Sequence, residues 1–200
     1  IEKGGMLVGQ NGRRFGDEPL GYSGFARIVL EQGRFAYAIF DQKIFEVAAL
    51  EEEFMELVRH GGGKRFDAAA DLATAFDLDA AALGETLAAF QSAAKGAAPD
   101  AFGRRDFGLG ALEPPFHAAR VTPGLFHTQG GLKVDADARV LDQAGRPIPN
   151  LFAGGGAAAG ISGAQGALGY ASGNGLLTAI ALGRLGGVSA AQEARGERTG

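Results

Sequence analysis

The apolar positions of this chain fall into helical stripes and short continuous runs, separated by clusters of Gly, Pro, Asn and Asp. Residues 6–15 (MLVGQNGRRF) read as a hairpin, with a primed Asn11-Gly12 turn between two strands. After the break at Pro19-Leu20, Phe25, Ile28 and Val29 form a helical stripe over residues 23–32 that closes near Gly33. Residues 35–40 (FAYAIF) follow as a short apolar strand. A helix is predicted over 45–60, with Val47, Leu50, Phe54 and Leu57 inside and Glu51, Glu52 and Glu53 on its solvated face, ended by Gly61-Gly62-Gly63. Two Ala-rich helices, 67–75 and 79–94, each begin near an Asp and place Leu72, Phe76, Leu83, Leu87 and Phe90 in a core. Residues 99–115 are a Gly/Pro-rich connection, and 116–122 (FHAARVT) alternate as a strand does.

The stretch from Pro149 to Gly187 has a different texture, because it holds twelve of the 34 glycines. Residues 150–153 read as a buried strand that ends at Gly154, Gly155 and Gly156, where the backbone can come close to another group. Ser172 to Gly175 supply N-cap candidates, and Leu176, Leu177, Ile180, Ala181 and Leu185 then predict a buried helix from about Asn174. The open N–H groups of such a helix start suit the anionic edge of a ligand. The same pattern fits a glycine-rich loop packed tightly on a helix with no ligand, since the spacing is neither that of a P-loop nor of a G-x-G-x-x-G fingerprint.

Composition narrows the classes. At 200 residues and 46% hydrophobic content, the chain can build one large core or two small ones. A net charge of -4 argues against a nucleic-acid or anionic-membrane surface. The absence of Cys rules out disulfides and thiolate chemistry, and three scattered His residues make a His-rich metal centre an unfavourable reading, so no metal is expected. No apolar run has the character of a membrane span. The cytoplasm is the expected compartment, with the periplasm as the alternative. The first residues show neither a signal peptide nor a start Met, and the chain is expected to begin within a longer protein.

Taken in order, Gly130-Gly131-Leu132-Lys133-Val134-Asp135, Val140-Leu141-Asp142, Gly145-Arg146-Pro147-Ile148-Pro149 and the glycine-rich stretch resemble the C-terminal part of the flavin-binding domain in the fumarate reductase/succinate dehydrogenase flavoprotein superfamily. Gly12, Arg14, Phe15 and Glu18 match the point where that domain hands over to a mobile cap; composition alone would make the same segment a solvated hairpin. The Phe40-Asp41 and Pro115-Phe116 segments are similar to parts of the cap and of the return from it, with His117 in the usual Tyr position. The resemblance implies an α+β or α/β fold: a helical capping domain inserted into the C-terminal portion of an FAD-binding, Rossmann-like domain whose N-terminal dinucleotide-binding half is absent. It partitions the chain into a flavin-domain hairpin (1–19), the cap (20–113), a flavin-domain segment (114–187) and a tail (188–200).

The resemblance also assigns a site. His127 and Thr128 would meet the substrate carboxylate, with Gly130 beside them, while Gly154, Gly155, Gly156, Ser172, Asn174, Gly175, Leu176 and Leu177 would face the FAD. A His ending a strand before a Gly-Gly turn is the plainer reading of 126–131. Tyr170 is the candidate for a substrate-side hydroxyl, or it packs on the loop. Three departures argue against fumarate itself: Phe45 stands where the family's proton-donating Arg falls, the relay Arg falls at or beside Gly21, and residues 163–166 lack the second carboxylate-binding Arg. The usual flavin-contacting Glu is replaced by Gly156. The pattern is similar to the dehydrogenases of tricarballylate and of 3-ketosteroids. An FAD-dependent enzyme acting on a CH–CH bond of a small organic acid is therefore expected, with a neutral steroid-like substrate as the alternative. A non-enzymatic module whose glycine wall is covered by a symmetric partner, a homo-oligomer, is the reading from another class.

Overall fold

In the computed structural model the described residues are 1–124, 129–162 and 173–197, apart from the side chains of Tyr22 and Ser23. The chain forms two compact units, Ile1–Pro123 and Gly124–Gly200.

The first unit is built on a four-stranded antiparallel sheet in the order β1-β2-β4-β3, from β1 (Met6–Val8), β2 (Ala36–Asp41), β3 (Gly63–Phe66) and β4 (Phe116–Val121). Every residue of β2 is buried, because the sheet is covered on both faces. Leu7, Ala36 and Ala38 pack with Phe25 and Val29 of α1 (Gly21–Gln32). Met6, Val8, Tyr37 and Ile39 point the other way, onto Leu72, Leu83, Leu87 and Phe90 from α4 (Ala69–Phe76) and α5 (Ala80–Ala94). The strand expected at 116–122 is present, and it pairs with β2 and β3.

Three sequence expectations change here. The hairpin after β1 does not use a two-residue primed turn: the Gly12 N–H donates to the Gly9 carbonyl, the Gly9 N–H to the Arg13 carbonyl, and Gly12 takes φ +71°. This is a three-residue connection with glycine in the left-handed position, and the return strand shrinks to a single Val8–Arg14 bridge. The long helix expected at 45–60 is two helices, α2 (Gln42–Ala48) and α3 (Glu52–Arg59). Asp41 caps α2, its Oδ1 accepting from the Ile44 N–H at 3.2 Å, so the helix starts earlier than its apolar stripe. The break leaves Leu50 exposed, with Ile44 buried in its stead. Residues 63–66, following the glycines, form the edge strand β3, which the sequence reading did not anticipate.

The charged residues near Glu18 are not a solvated surface. Glu18 is buried and accepts from the Leu7 N–H, from Arg14 Nε and Nη2 (2.8 and 2.6 Å) and from Arg104 Nη1 (3.0 Å). Arg14 also pairs with Asp100. Arg104 donates to the Gly5 and Asp106 carbonyls and lies over the Phe90 and Phe107 rings. The irregular connection 99–115 is thereby tied to β1, and charge-assisted bonds offset much of the burial penalty, although Arg104 Nη2 is buried without a hydrogen-bond partner.

The second unit holds a two-stranded ribbon, β5 (Arg139–Leu141) with β6 (Pro147–Phe152), and helix α6 (Asn174–Ala194). Asp135 and Asp142 each organise a turn in the same way: Oδ1 accepts two backbone N–H groups, and Oδ2 accepts from the Arg four residues on, Arg139 or Arg146. β6 was expected to be buried, yet its residues are exposed up to Leu151. α6 begins at Asn174 as expected, but its Leu176, Leu177, Ile180 and Leu185 are exposed, and Thr178, Gly186 and Ser189 are buried. The ribbon meets α6 through small residues, since a Cβ at Gly186 would touch Ala138 and Phe152 at 3.5 Å.

Candidate functional site

The glycine-rich wall is assembled from three segments of the second unit. Leu132 forms a parallel bridge with Ala158; its N–H donates to the Ala157 carbonyl, and its carbonyl accepts from Ala159. The Gly160 N–H donates to the Gln129 carbonyl. This pairing explains Gly131: a Cβ there would lie 2.4 Å from the Ala158 carbonyl carbon. Gly154 is likewise an internal requirement, because its Cβ would sit 3.0 Å from the Gly183 nitrogen of α6. Gly155 follows at φ +57° above Ala179. Gly130, Gly156 and Gly175 are different, since a Cβ at any of them meets nothing within 4 Å.

The start of α6 is joined to the wall by Asn174 Nδ2, which donates to the buried Ser162 Oγ at 2.7 Å. Thr178 Oγ1 donates to the Asn174 and Gly175 carbonyls, and the Leu177 N–H donates to the Gly173 carbonyl at 2.8 Å. The N–H groups that helix geometry itself leaves without intrahelical partners are therefore those of Asn174, Gly175 and Leu176, and Gly156, next to the Gly155 that lies over Ala179 of the same helix, is exposed. This donor set and the open glycines fit the electron-rich edge of a flavin. Among the expected contacts, Gly130, Gly154, Gly155, Gly156, Asn174, Gly175, Leu176 and Leu177 lie in the described parts of this unit. His127, Thr128, Tyr170 and Ser172 lie outside the described residues, as do positions 163–166. No cluster of His, Asp and Glu suited to a metal ion occurs among the described residues, and none of their helices is long and apolar enough to cross a membrane.

In the first unit, Phe45 and His117 are neighbours with ring centroids 4.4 Å apart. His117 Nε2 lies 2.9 Å from Gln42 Oε1. Burial, reinforced by the Arg65 charge, holds the imidazole below its ordinary pKa. Sequence reasoning noted both residues singly and missed their contact. The signal was the strand register, which sets Phe40 opposite His117.

A family model described as an FAD binding domain matches residues 1–175, and the chain belongs to that family, within the fumarate reductase/succinate dehydrogenase flavoprotein superfamily. A probable fumarate reductase of Shewanella frigidimarina (strain NCIMB 400) is 31% identical over 194 residues, which cover 96% of this chain and 32% of that protein. The fumarate reductase of Schizosaccharomyces pombe is 35% identical over 191 residues, covering 94% and 36%. Among solved structures, the open conformation of a flavocytochrome c3 fumarate reductase superposes with a TM-score of 0.72 at 29% identity, over 96% of this chain and 33% of the other. A 3-ketosteroid-Δ4-(5α)-dehydrogenase from Rhodococcus jostii RHA1 gives 0.62 at 25% identity, over 96% and 39%. The chain spans about a third of the length of the curated relatives it matches.

Proposed function

We propose that this chain is the capping region and C-terminal flavin-facing segment of an FAD-dependent oxidoreductase that acts on a CH–CH bond of a small organic acid. The observation that carries the reading is the start of α6, where helix geometry leaves the N–H groups of Asn174, Gly175 and Leu176 without intrahelical partners, together with the space that a Cβ at Gly156 or Gly175 would find empty. In this reading residues 1–19 lead into a cap (20–113) and 114–187 return to the flavin domain, with 188–200 as a tail.

When bound, FAD supplies hydride exchange between its N5 and one carbon of the CH–CH bond. The N–H groups of Asn174, Gly175 and Leu176 at the start of α6 would hold the electron-rich edge of the flavin and favour negative charge there. Gly155 and Gly156, with Ser172, would let the backbone lie against it, while Gly154 serves the packing on α6 and Gly130 stands with His127 and Thr128 on the substrate side. His127 and Thr128 donate hydrogen bonds to a substrate carboxylate, and the Tyr170 hydroxyl serves on the substrate side. Phe45 carries no proton, so the acid or base at the neighbouring carbon is a different group from the one the family's Arg position provides.

Replacing His127 by Ala in the complete protein tests the substrate assignment. KM for an unsaturated acid is expected to rise about tenfold or more, as loss of a charge-assisted bond implies. Unchanged kinetics would remove the carboxylate contact and favour a neutral, steroid-like substrate.

A further inference from the structure

The end of the first unit's sheet where β2 begins carries positive charge that no carboxylate of the described residues neutralises. Phe35, just before β2, is 40% exposed. Arg120 Cζ stands 4.6 Å and Arg34 Cζ 5.7 Å from the centre of its ring. Strand pairing fixes the rest of the patch. Arg120 lies opposite Tyr37 and Lys64 opposite Ala118, so the alternation of side chains turns Arg120 and Lys64 to one face. On that face Phe76 of α4 packs on Tyr37 with ring centroids 5.2 Å apart, and Lys64 Nζ lies 5.8 Å from the centre of the Phe76 ring. Arg34, Lys64 and Arg120 are all exposed.

The rings position these cations without discharging them. Among the described residues none of the three forms an ion pair, whereas Arg27 is taken by Glu31 and Arg65 by Asp67. The chain as a whole has a net charge of -4, so the patch is a local exception. A guanidinium stacked on a ring keeps its forked N–H donors for an oxyanion. The spacing selects the kind of anion. Arg120 and Lys64 are diagonal neighbours on adjacent strands, which places their Cα atoms roughly 7–8 Å apart. Acidic side chains at alternate residues of an extended segment recur about every 7 Å, and the half-exposed Phe35 ring offers apolar surface to the stems between them. A nucleic acid would need a broad basic field, which an acidic chain does not supply.

We propose that this patch docks an extended acidic segment of a partner protein, one carboxylate resting on the Arg34–Phe35–Arg120 stack and the carboxylate two residues on meeting Lys64. Every residue concerned lies within Ile1–Pro123, and no part of the proposal depends on flavin binding. The test is a titration of the 200-residue chain, followed by ¹H–¹⁵N NMR, with a short peptide of alternating Glu and Thr, with its Gln–Thr counterpart, and with oligo(dT). Saturable shifts at amides around residues 34–37, 64 and 120 are expected, with the Glu peptide binding about tenfold more tightly than the Gln peptide at low salt and that margin shrinking at about 0.5 M salt. Arg34→Gln with Arg120→Gln, both exposed changes, should erase the margin. Lys95→Gln with Arg105→Gln removes the same charge from exposed positions outside the patch and should leave the margin intact. No saturable binding, equal affinities for the two peptides, an equal loss in the Lys95 and Arg105 variant, or oligo(dT) binding as tightly as the Glu peptide would overturn the proposal.

Discussion

Glu18 shows how much one buried side chain can carry. It accepts from two guanidinium groups and a backbone N–H, and its side chain and that of Arg104 are fully buried. Glu18→Gln leaves Arg104 without its counter-charge, and a loss of about 3 kcal/mol or more in urea unfolding is expected. Titration follows the same logic with opposite signs. His117 is held below its ordinary pKa by burial and then by Arg65, so the unfolded chain binds more protons below about pH 6.5. Stability should fall as pH drops through that window, and the drop between pH 7.5 and 5.5 should shrink in His117→Phe; an equal drop in both proteins would contradict this. At Asp100, burial alone would raise the pKa, but the Arg14 bond and the Arg104 and Phe102 N–H donors override it and lower the carboxyl. That contribution is present above about pH 4 and is lost only as pH falls through the depressed value.

At the scale of elements, periodicity located α1, β2, α4, α5 and β4 because each buries a face against a completed layer. It failed at 42–59, where the Asp41 cap and the break at 49–51 override a stripe that reads as continuous. It failed again in β6 and α6, where apolar residues are exposed and small residues make the contacts. Of the candidate site, the helix start and the glycine wall were legible. The division of labour among the glycines was not, since sequence cannot distinguish a glycine needed by a neighbouring backbone from one that leaves space. That division is testable. Gly131→Ala and Gly154→Ala should each destabilise the chain by about 1–3 kcal/mol through overpacking, whereas Gly156→Ala should leave its thermal midpoint unchanged. A Gly156→Ala change as costly as Gly154→Ala would place Gly156 in the packing rather than at a ligand.

At the scale of the molecule, the two units carry different parts of the proposed chemistry. The first is a four-stranded sheet covered on both faces, with an internal polar network, and the second presents a helix start and exposed apolar residues. The direct measurement is the visible absorption spectrum of the 200-residue chain and of the complete protein in which the proposed reading places it, each with and without added FAD. Stoichiometric bound flavin is expected in the complete protein and weak or no uptake by the 200 residues alone, because the chain lacks a strand followed by G-x-G-x-x-G to hold the pyrophosphate. A complete protein that stays colourless in the presence of FAD would contradict the flavoenzyme account, and stoichiometric flavin in the 200-residue chain would contradict its division between two halves.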